Sequence, residues 1–326
     1  MTPSTLARRG LLSLAVAALA TALTPSAVYA APPLRVILPV SAGSGVDANV
    51  RTAQVALSKA LGGQPVVIEN LPGAGGITGT QALVKAAPDG NTIAVVSNNH
   101  AVNPSVFKNL PYDSLGDITP ITVIGGSPFV FVVNPKVPAA NAKELQALLK
   151  SKPDALNIAS SGNGTIIQLA GRVVIDALGG KAHDIPYKGM GPMITDLMSG
   201  QVEMGASSVV AIQGQLKAGT LRAIGLMGKE RLGSLPDVKT FAEQGFPDAN
   251  MSGWFVAVGP KGMPAAQVQR LHDALVAAFN DPEVKASFAK QENHLVLGTP
   301  EQAAQFLKSE QDRYARMVEK AKVAVE

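Results

Sequence analysis

Short apolar runs recur along the chain. Each ends in a cluster of Gly, Ser or Asn and is followed by apolar positions at helical spacing. Leu34-Arg35-Val36-Ile37-Leu38-Pro39-Val40 predicts a first strand that empties into Ser41-Ala42-Gly43-Ser44-Gly45-Val46-Asp47. Val46, Val50, Ala53 and Leu57 then repeat at the spacing of one helix face, and Gly62-Gly63 stops the pattern. Residues 65–68 read as a second strand, 80–87 as its helix and 92–97 as a third strand ending in a loop, Asn98-Asn99-His100. Residues 123–134 read as a further pair of strands, and 135–138, with two prolines, as a crossing point.

The series then starts afresh. Helical patterns fall at 143–150, 166–178, 191–199 and 209–217, and strands at 156–159, 183–186, 202–206 and 221–227. A second crossing is placed near 251–254, followed by a strand and by helical patterns over 264–280, from Pro282, and over 300–323. Strand–loop–helix repetition is βαβ logic, and in such sheets ligands collect outside the carboxyl ends of the strands. The predicted fold is α/β, two lobes with two crossovers: 31–132 with 254–326 form the first lobe and 133–253 the second. A site is expected in the cleft between them.

The loop that sets the theme is Asn70-Leu71-Pro72-Gly73-Ala74-Gly75-Gly76-Ile77-Thr78-Gly79. Glycines before a helix leave backbone N–H groups for an anion. It is not a nucleotide loop: G-x-G-x-x-G would need glycine at position 78, which is Thr78, and no Gly-Lys-Ser/Thr follows. Gly73, Gly75 and Gly76 read equally as turn glycines requiring positive φ. Ser160-Ser161-Gly162-Asn163-Gly164-Thr165 repeats the device in the second lobe.

Composition narrows the chemistry. The 326 residues contain no cysteine, which excludes thiol catalysis, disulfides and Cys-ligated metal. A formal charge of +4, with Lys and Arg dispersed, gives no nucleic-acid or membrane patch. The four His stand apart from any metal-ligand spacing, and no G-x-S-x-G elbow occurs. No metal or cofactor is therefore expected. Arg8-Arg9, the apolar run from Gly10 and Ser26-Ala27-Val28-Tyr29-Ala30 read as a signal peptide over 1–30, implying a soluble periplasmic protein.

These pieces together resemble the Bug-type periplasmic receptors of tripartite tricarboxylate transporters. The matching residues are Pro39…Gly43…Asp47, Asn70-x-Pro72-Gly73-Ala74-Gly75-Gly76-x-x-Gly79 and Ala87-Pro88-Asp89-Gly90-x-Thr92. Ser160-Ser161-Gly162-Asn163-Gly164-Thr165, Pro186-Tyr187-Lys188-Gly189, Asp196-Leu197-x-x-Gly200-Gln201-Val202 and Trp254 complete the set. The resemblance implies a periplasmic-binding-protein-like II fold, a Venus flytrap that holds an organic acid through loop N–H groups and hydroxyls. It implies delivery to integral-membrane permease subunits by a monomeric receptor with no catalytic residue.

The ligand-binding candidates are Ser41, Gly43, Ser44 and Asp47; Gly73, Ala74 and Gly75; Asn98, Asn99 and His100; Ser160, Ser161, Asn163, Gly164 and Thr165; and Tyr187 and Ser207. Asp47 also reads as an N-cap, Ser207 as a cap of the next helix, and Trp254 as a packing residue. The chain departs from the family pattern at Ser44 for Gly, at Gln168 and Arg172 for His and Glu, and at Ser207 for Asp. The last change removes a negative charge and favours a ligand with one or two carboxylates and no ammonium group. Competing readings are a periplasmic hydrolase or isomerase using Ser105/Lys108 or His100, and a ligand sensor.

Overall fold

The computed structural model describes residues 32–321. The expected signal peptide and the end of the last helical pattern lie outside the described residues. The first half of the fold opens with β1 (Leu34–Leu38), α1 (Gly45–Ala60), β2 (Val66–Asn70), a short 3-10 turn (Ala74–Gly76), α2 (Ile77–Val84), β3 (Thr92–Ser97) and α3 (Asn98–Val106). The long β4 (Ile118–Val133) leads into α4 (Ala142–Ser151), β5 (Asn157–Ser160), α5 (Ile166–Ala177), β6 (His183–Pro186) and α6 (Met190–Ser199). β7 (Met204–Ser208), α7 (Val209–Lys217) and β8 (Arg222–Leu226) follow. β9 (Ser252–Pro260), α8 (Ala265–Asn280), α9 (Pro282–Lys290), β10 (His294–Leu295) and α10 (Pro300–Ala321) close the chain.

Both halves of the sheet have the same plan. β1 lies between β2 and β3, both parallel to it, and β3 pairs antiparallel with β9. In the second half β5 lies between β6 and β7, both parallel, and β7 pairs antiparallel with β4. β4 joins the halves. Its first part pairs with β9 as far as Pro128↔Ser252, and from Phe129 onward it pairs with β7 and β8. The expected strand pair over 123–134 is thus one strand with two sets of partners. Residues 135–138 are the loop into α4, and the change of partner falls earlier, between Pro128 and Phe129.

Alternation along the strands feeds two cores. Leu34, Val36 and Leu38 of β1 pack with Leu57 of α1 and Leu271 and Leu275 of α8, whereas Ile37 faces the opposite core. A strand buried on both faces is a near-continuous apolar run, which is why β1 reads so clearly in the sequence.

Asn98-Asn99-His100 opens a helix rather than a loop, even though Pro104 lies inside it. Proline removes one internal hydrogen bond. Tertiary contacts offset that loss: the Asn98 amide donates to Ser252 O and to Tyr314 Oη and accepts from Trp254 N, all buried or nearly so.

Candidate functional site

Loops at the carboxyl ends of β1, β2, β3, β5 and β6, with the strand segments where β4 and β9 pass between the halves, enclose a cavity of about 480 Å³. Each loop is held by hydrogen bonds of its own. After β1, Ser44 is the N-cap of α1 and accepts from Asp47 N at 3.3 Å. Asp47 is 5% exposed and turned from the cavity. Its carboxylate accepts from Gly43 N (3.0 Å), Arg51 Nε (2.8 Å) and Asn70 Nδ2 (3.0 Å), so it locks the first loop to the end of β2. The N-cap is therefore Ser44 and not Asp47 as expected, with Asp47 as the acidic member of a capping-box-like turn. Gly43 serves this turn and is not in the cavity wall.

Gly73, Ala74, Gly75 and Gly76 all have positive φ, of 129°, 44°, 62° and 94°. The first three predicted a ligand loop, and all of them line the cavity. Gly76 and Gly79 have a second constraint. A Cβ on Gly76 would lie 2.9 Å from Pro39 O, and one on Gly79 would lie 2.8 Å from Leu71 O. Only glycine lets the start of α2 approach the loop after β1 so closely.

At the third strand, Asn98 and Asn99 line the cavity and His100 does not. His100 is buried, with Nε2 2.7 Å from Ser114 O and its ring stacked on Tyr112. Burial holds its pKa down at about 4. An uncharged imidazole facing away from the cavity is a core residue, not a ligand contact. It borders a separate space of about 10 Å³, shared with Gly75, Gly76 and Asn103, enough for one water.

In the second half, Ser161, Asn163 and Thr165 line the cavity, whereas Ser160 and Gly164 lie behind them. Ser160 is buried and donates to Gly162 O. The Thr165 hydroxyl caps α5 by accepting from Gln168 N, and donates to Gly162 O at 2.7 Å. Ser161 donates to that same hydroxyl. Tyr187 forms part of the wall and donates to Asp196 Oδ2 at 2.9 Å. Desolvation, with Asp196 beside it, pushes its pKa up to about 12. Ser207 is fully buried and donates to Ser208 O; its neighbour Ser208 faces the cavity.

The helices around this space differ in how they begin. α4 and α9, away from the cavity, have side-chain N-caps from Asn141 and Asp281, whereas α8, also away from it, has none. α1 and α5, at the cavity, have them from Ser44 and Thr165. α2, α3, α6 and α7 begin at the cavity on Gly76, Ser97, Gly189 and Ser208 without any side-chain cap bond. Their first N–H groups are donors that a capping side chain would otherwise satisfy, although in α6 Met190 N already donates to Ser41 Oγ, and each helix start carries partial positive charge. Among the described residues no carboxylate lines the cavity, and the only cation in its wall, Lys188, is exposed at the rim. The arrangement can hydrogen-bond an anion. It offers no proton shuttle: Ser105, Lys108 and His100 all lie off the cavity, and no cluster of three or more His, Cys, Asp or Glu is found among the described residues.

Two contacts span the space between the halves. Asn99 Oδ1 accepts from Ile166 N at 2.6 Å, and Ser41 Oγ accepts from Met190 N at 3.4 Å. Sequence reasoning did not find Phe107, Ser127, Phe129 and Phe255, and it assigned Trp254 to packing alone; all five border the cavity. Trp254 does pack, donating to Glu310 Oε2 at 2.6 Å and meeting Phe306 edge-on. The available signal was the pair of crossing strands, because residues where strands pass between lobes form the base of the cleft.

The profile of the tripartite tricarboxylate transporter family receptor (TctC) matches residues 49–323. BugT of Bordetella pertussis is 32% identical over 292 residues, 89% of this chain and 89% of that protein. A UPF0065 protein of Agrobacterium vitis is 32% identical over 296 residues, 90% of this chain and 85% of that protein. Among solved structures, a periplasmic transporter superposes with a TM-score of 0.87 at 35% identity, covering 91% of this chain and 100% of that one. The periplasmic binding protein BugD gives 0.87 at 28% identity, with the same coverage. MatC of Rhodopseudomonas palustris, solved with bound malate, gives 0.81 at 27% identity, covering 88% and 99%.

The fold is that of the two-lobe solute-binding receptors, a class of binding proteins and not of enzymes. Within that class, the chain belongs to the tripartite tricarboxylate transporter receptor family.

Proposed function

We propose that this receptor captures a small organic acid in the cavity and, as a monomer in the periplasm, passes it to the membrane subunits of a tripartite tricarboxylate-type permease. The observation that carries the reading is the convergence of uncapped helix starts on a cavity without a carboxylate in its wall. The malate bound to MatC supports the same ligand chemistry. Residues 1–30 would be the export signal. Among the described residues no helix is long and apolar enough to cross a membrane, in keeping with this placement.

The lobes follow the expected division, 31–132 with 254–326 and 133–253, except that the first boundary moves to the change of partner in β4. The change of partner in β4 at 128–129 marks where the chain would bend. The ligand contacts are assigned to Ser41, Ser44, the loop Gly73–Ala74–Gly75, Asn99, Ser161, Asn163, Thr165 and Tyr187, with Ser208 taking the place foreseen for Ser207.

The test is thermal unfolding across a panel of simple carboxylates, amino acids and sugars, with turnover followed on the same samples. A carboxylate at a hundred times its Kd is expected to stabilise the protein by about 2.7 kcal/mol and to be recovered unchanged. Stabilisation by amino acids or sugars alone, or accumulation of a product, would remove the reading.

A further inference from the structure

Most polar side chains that face the cavity are already engaged. Asn98 is held by Ser252, Tyr314 and Trp254. The Ser127 hydroxyl sits between Asn49 and Asn293. Ser44 and Thr165 cap helices, and Ser161 donates to Thr165. What remains for a ligand is the set of backbone N–H groups at the helix starts, the hydroxyl protons of Ser41 and Ser44, Ser97, the Asn99 amide nitrogen, Asn163, Ser208 and the exposed Lys188. The rest of the wall is apolar: Phe107, Phe129, Ile167, Met190, Trp254 and Phe255.

Against those six apolar side chains a second anionic head would find no donor. A carboxylate or hydroxyl placed against those side chains would lose its water without gaining a partner, and that loss outweighs a neutral contact. Lys188 changes this little, because its ammonium is solvated and an exposed ion pair contributes weakly.

Phe107 occupies a particular position. A Cβ at Gly75 would lie 3.3 Å from its ring, and one at Gly164 would lie 3.0 Å from it. The ring therefore sits between the glycine loops of the two halves, close to where an anionic head would dock and its body would begin.

We propose that the ligand is a monocarboxylate with an aromatic or alicyclic body, and that Phe107 is the residue that selects it. This deepens the organic-acid receptor reading and rests on it. The test is calorimetric titration of the full mature chain with phenylacetate, cyclohexanecarboxylate, succinate, malate and citrate, with phenylacetamide as the neutral counterpart. The apolar monocarboxylates are expected to bind at least about tenfold more tightly than the polar acids, and the amide not to bind.

Phe107→Leu keeps an apolar side chain and the fold, verified by its melting temperature. It is expected to weaken phenylacetate binding about threefold to tenfold and any residual succinate binding by a smaller factor. Succinate, malate or citrate binding as tightly as phenylacetate would overturn the inference and leave the receptor reading intact. Unaltered phenylacetate affinity in the variant would overturn the role of Phe107. Binding of the amide alone, or of no carboxylate at all, would bring down the receptor reading together with the inference.

Discussion

At His100 burial decides the charge. Its ring is fully enclosed, one nitrogen meets Ser114 O, and the pKa falls from 6.5 to about 4, chiefly through desolvation. The unfolded chain binds a proton here below pH 6.5, and the native chain only below about 4. Between those values the unfolded state holds more protons, so stability rises with pH across the window and is lost on acidification. The whole shift corresponds to roughly 3 kcal/mol. Replacing His100 by Gln, which does not titrate, is expected to flatten the dependence of urea-unfolding stability on pH between 4 and 6.5. An equally steep dependence in the variant would place the acid sensitivity in another group.

At the scale of the element, α5 shows how a loop can serve structure and ligand together. Thr165 caps the helix and also forms part of the cavity wall, whereas the Ser161 hydroxyl bonds only to the Thr165 hydroxyl among protein partners. The two substitutions should therefore separate. Thr165→Ala is expected to lower unfolding stability by about 1 kcal/mol through loss of the cap. Ser161→Ala is expected to leave stability within about 0.5 kcal/mol of the parent, the usual range for an exchange that removes no cap and opens no core cavity. Chemical denaturation of both variants measures this. Equal losses would mean that the cap bond contributes no more than the Ser161 contact.

At the scale of the whole molecule, the bonds of Asn99 to Ile166 and of Ser41 to Met190 link the two halves across the cavity. Asn99 supplies, from the β3 side, a hydrogen bond to a first-turn N–H of α5 in the other half. Two-lobe receptors close around a ligand by hinge motion, with a few chain positions absorbing the change. Asn99→Ala removes one of these two links and is expected to increase the radius of gyration of the free protein in solution scattering. Saturating carboxylate is expected to restore the parental profile. If parent and variant scatter identically with and without ligand, the halves do not move.

The sequence by itself determined which residues are strand and which are helix wherever one period dominates. β1 is apolar but for Arg35 and buried at its other four positions, and α1 repeats its apolar residues at helical spacing until Gly62-Gly63; neither needs tertiary information. It also determined the glycine loops, because a chain that turns at positive φ over four residues requires glycine at most of them.

Tertiary structure decided the rest. The Asn98-Asn99-His100 segment carries weak helical signals and a nearby proline, and it is helical because Asn98 is fixed by three partners more than 150 residues away in sequence. Asp47, His100, Ser160 and Ser207 have the residue types of a polar site, yet Asp47 and His100 are turned into the protein by bonds to Asn70 and Ser114. Ser160 and Ser207, whose hydroxyls bond only within two residues of themselves, are buried by the neighbouring strands. Phe107, Phe129 and Phe255 look like core residues in the sequence. They reach the cavity because β4 changes partner between Pro128 and Phe129 and because Phe107 ends α3 between two glycine loops. Local spacing fixes which way a side chain leaves its own element. What it then meets depends on which distant strand or loop is packed against it.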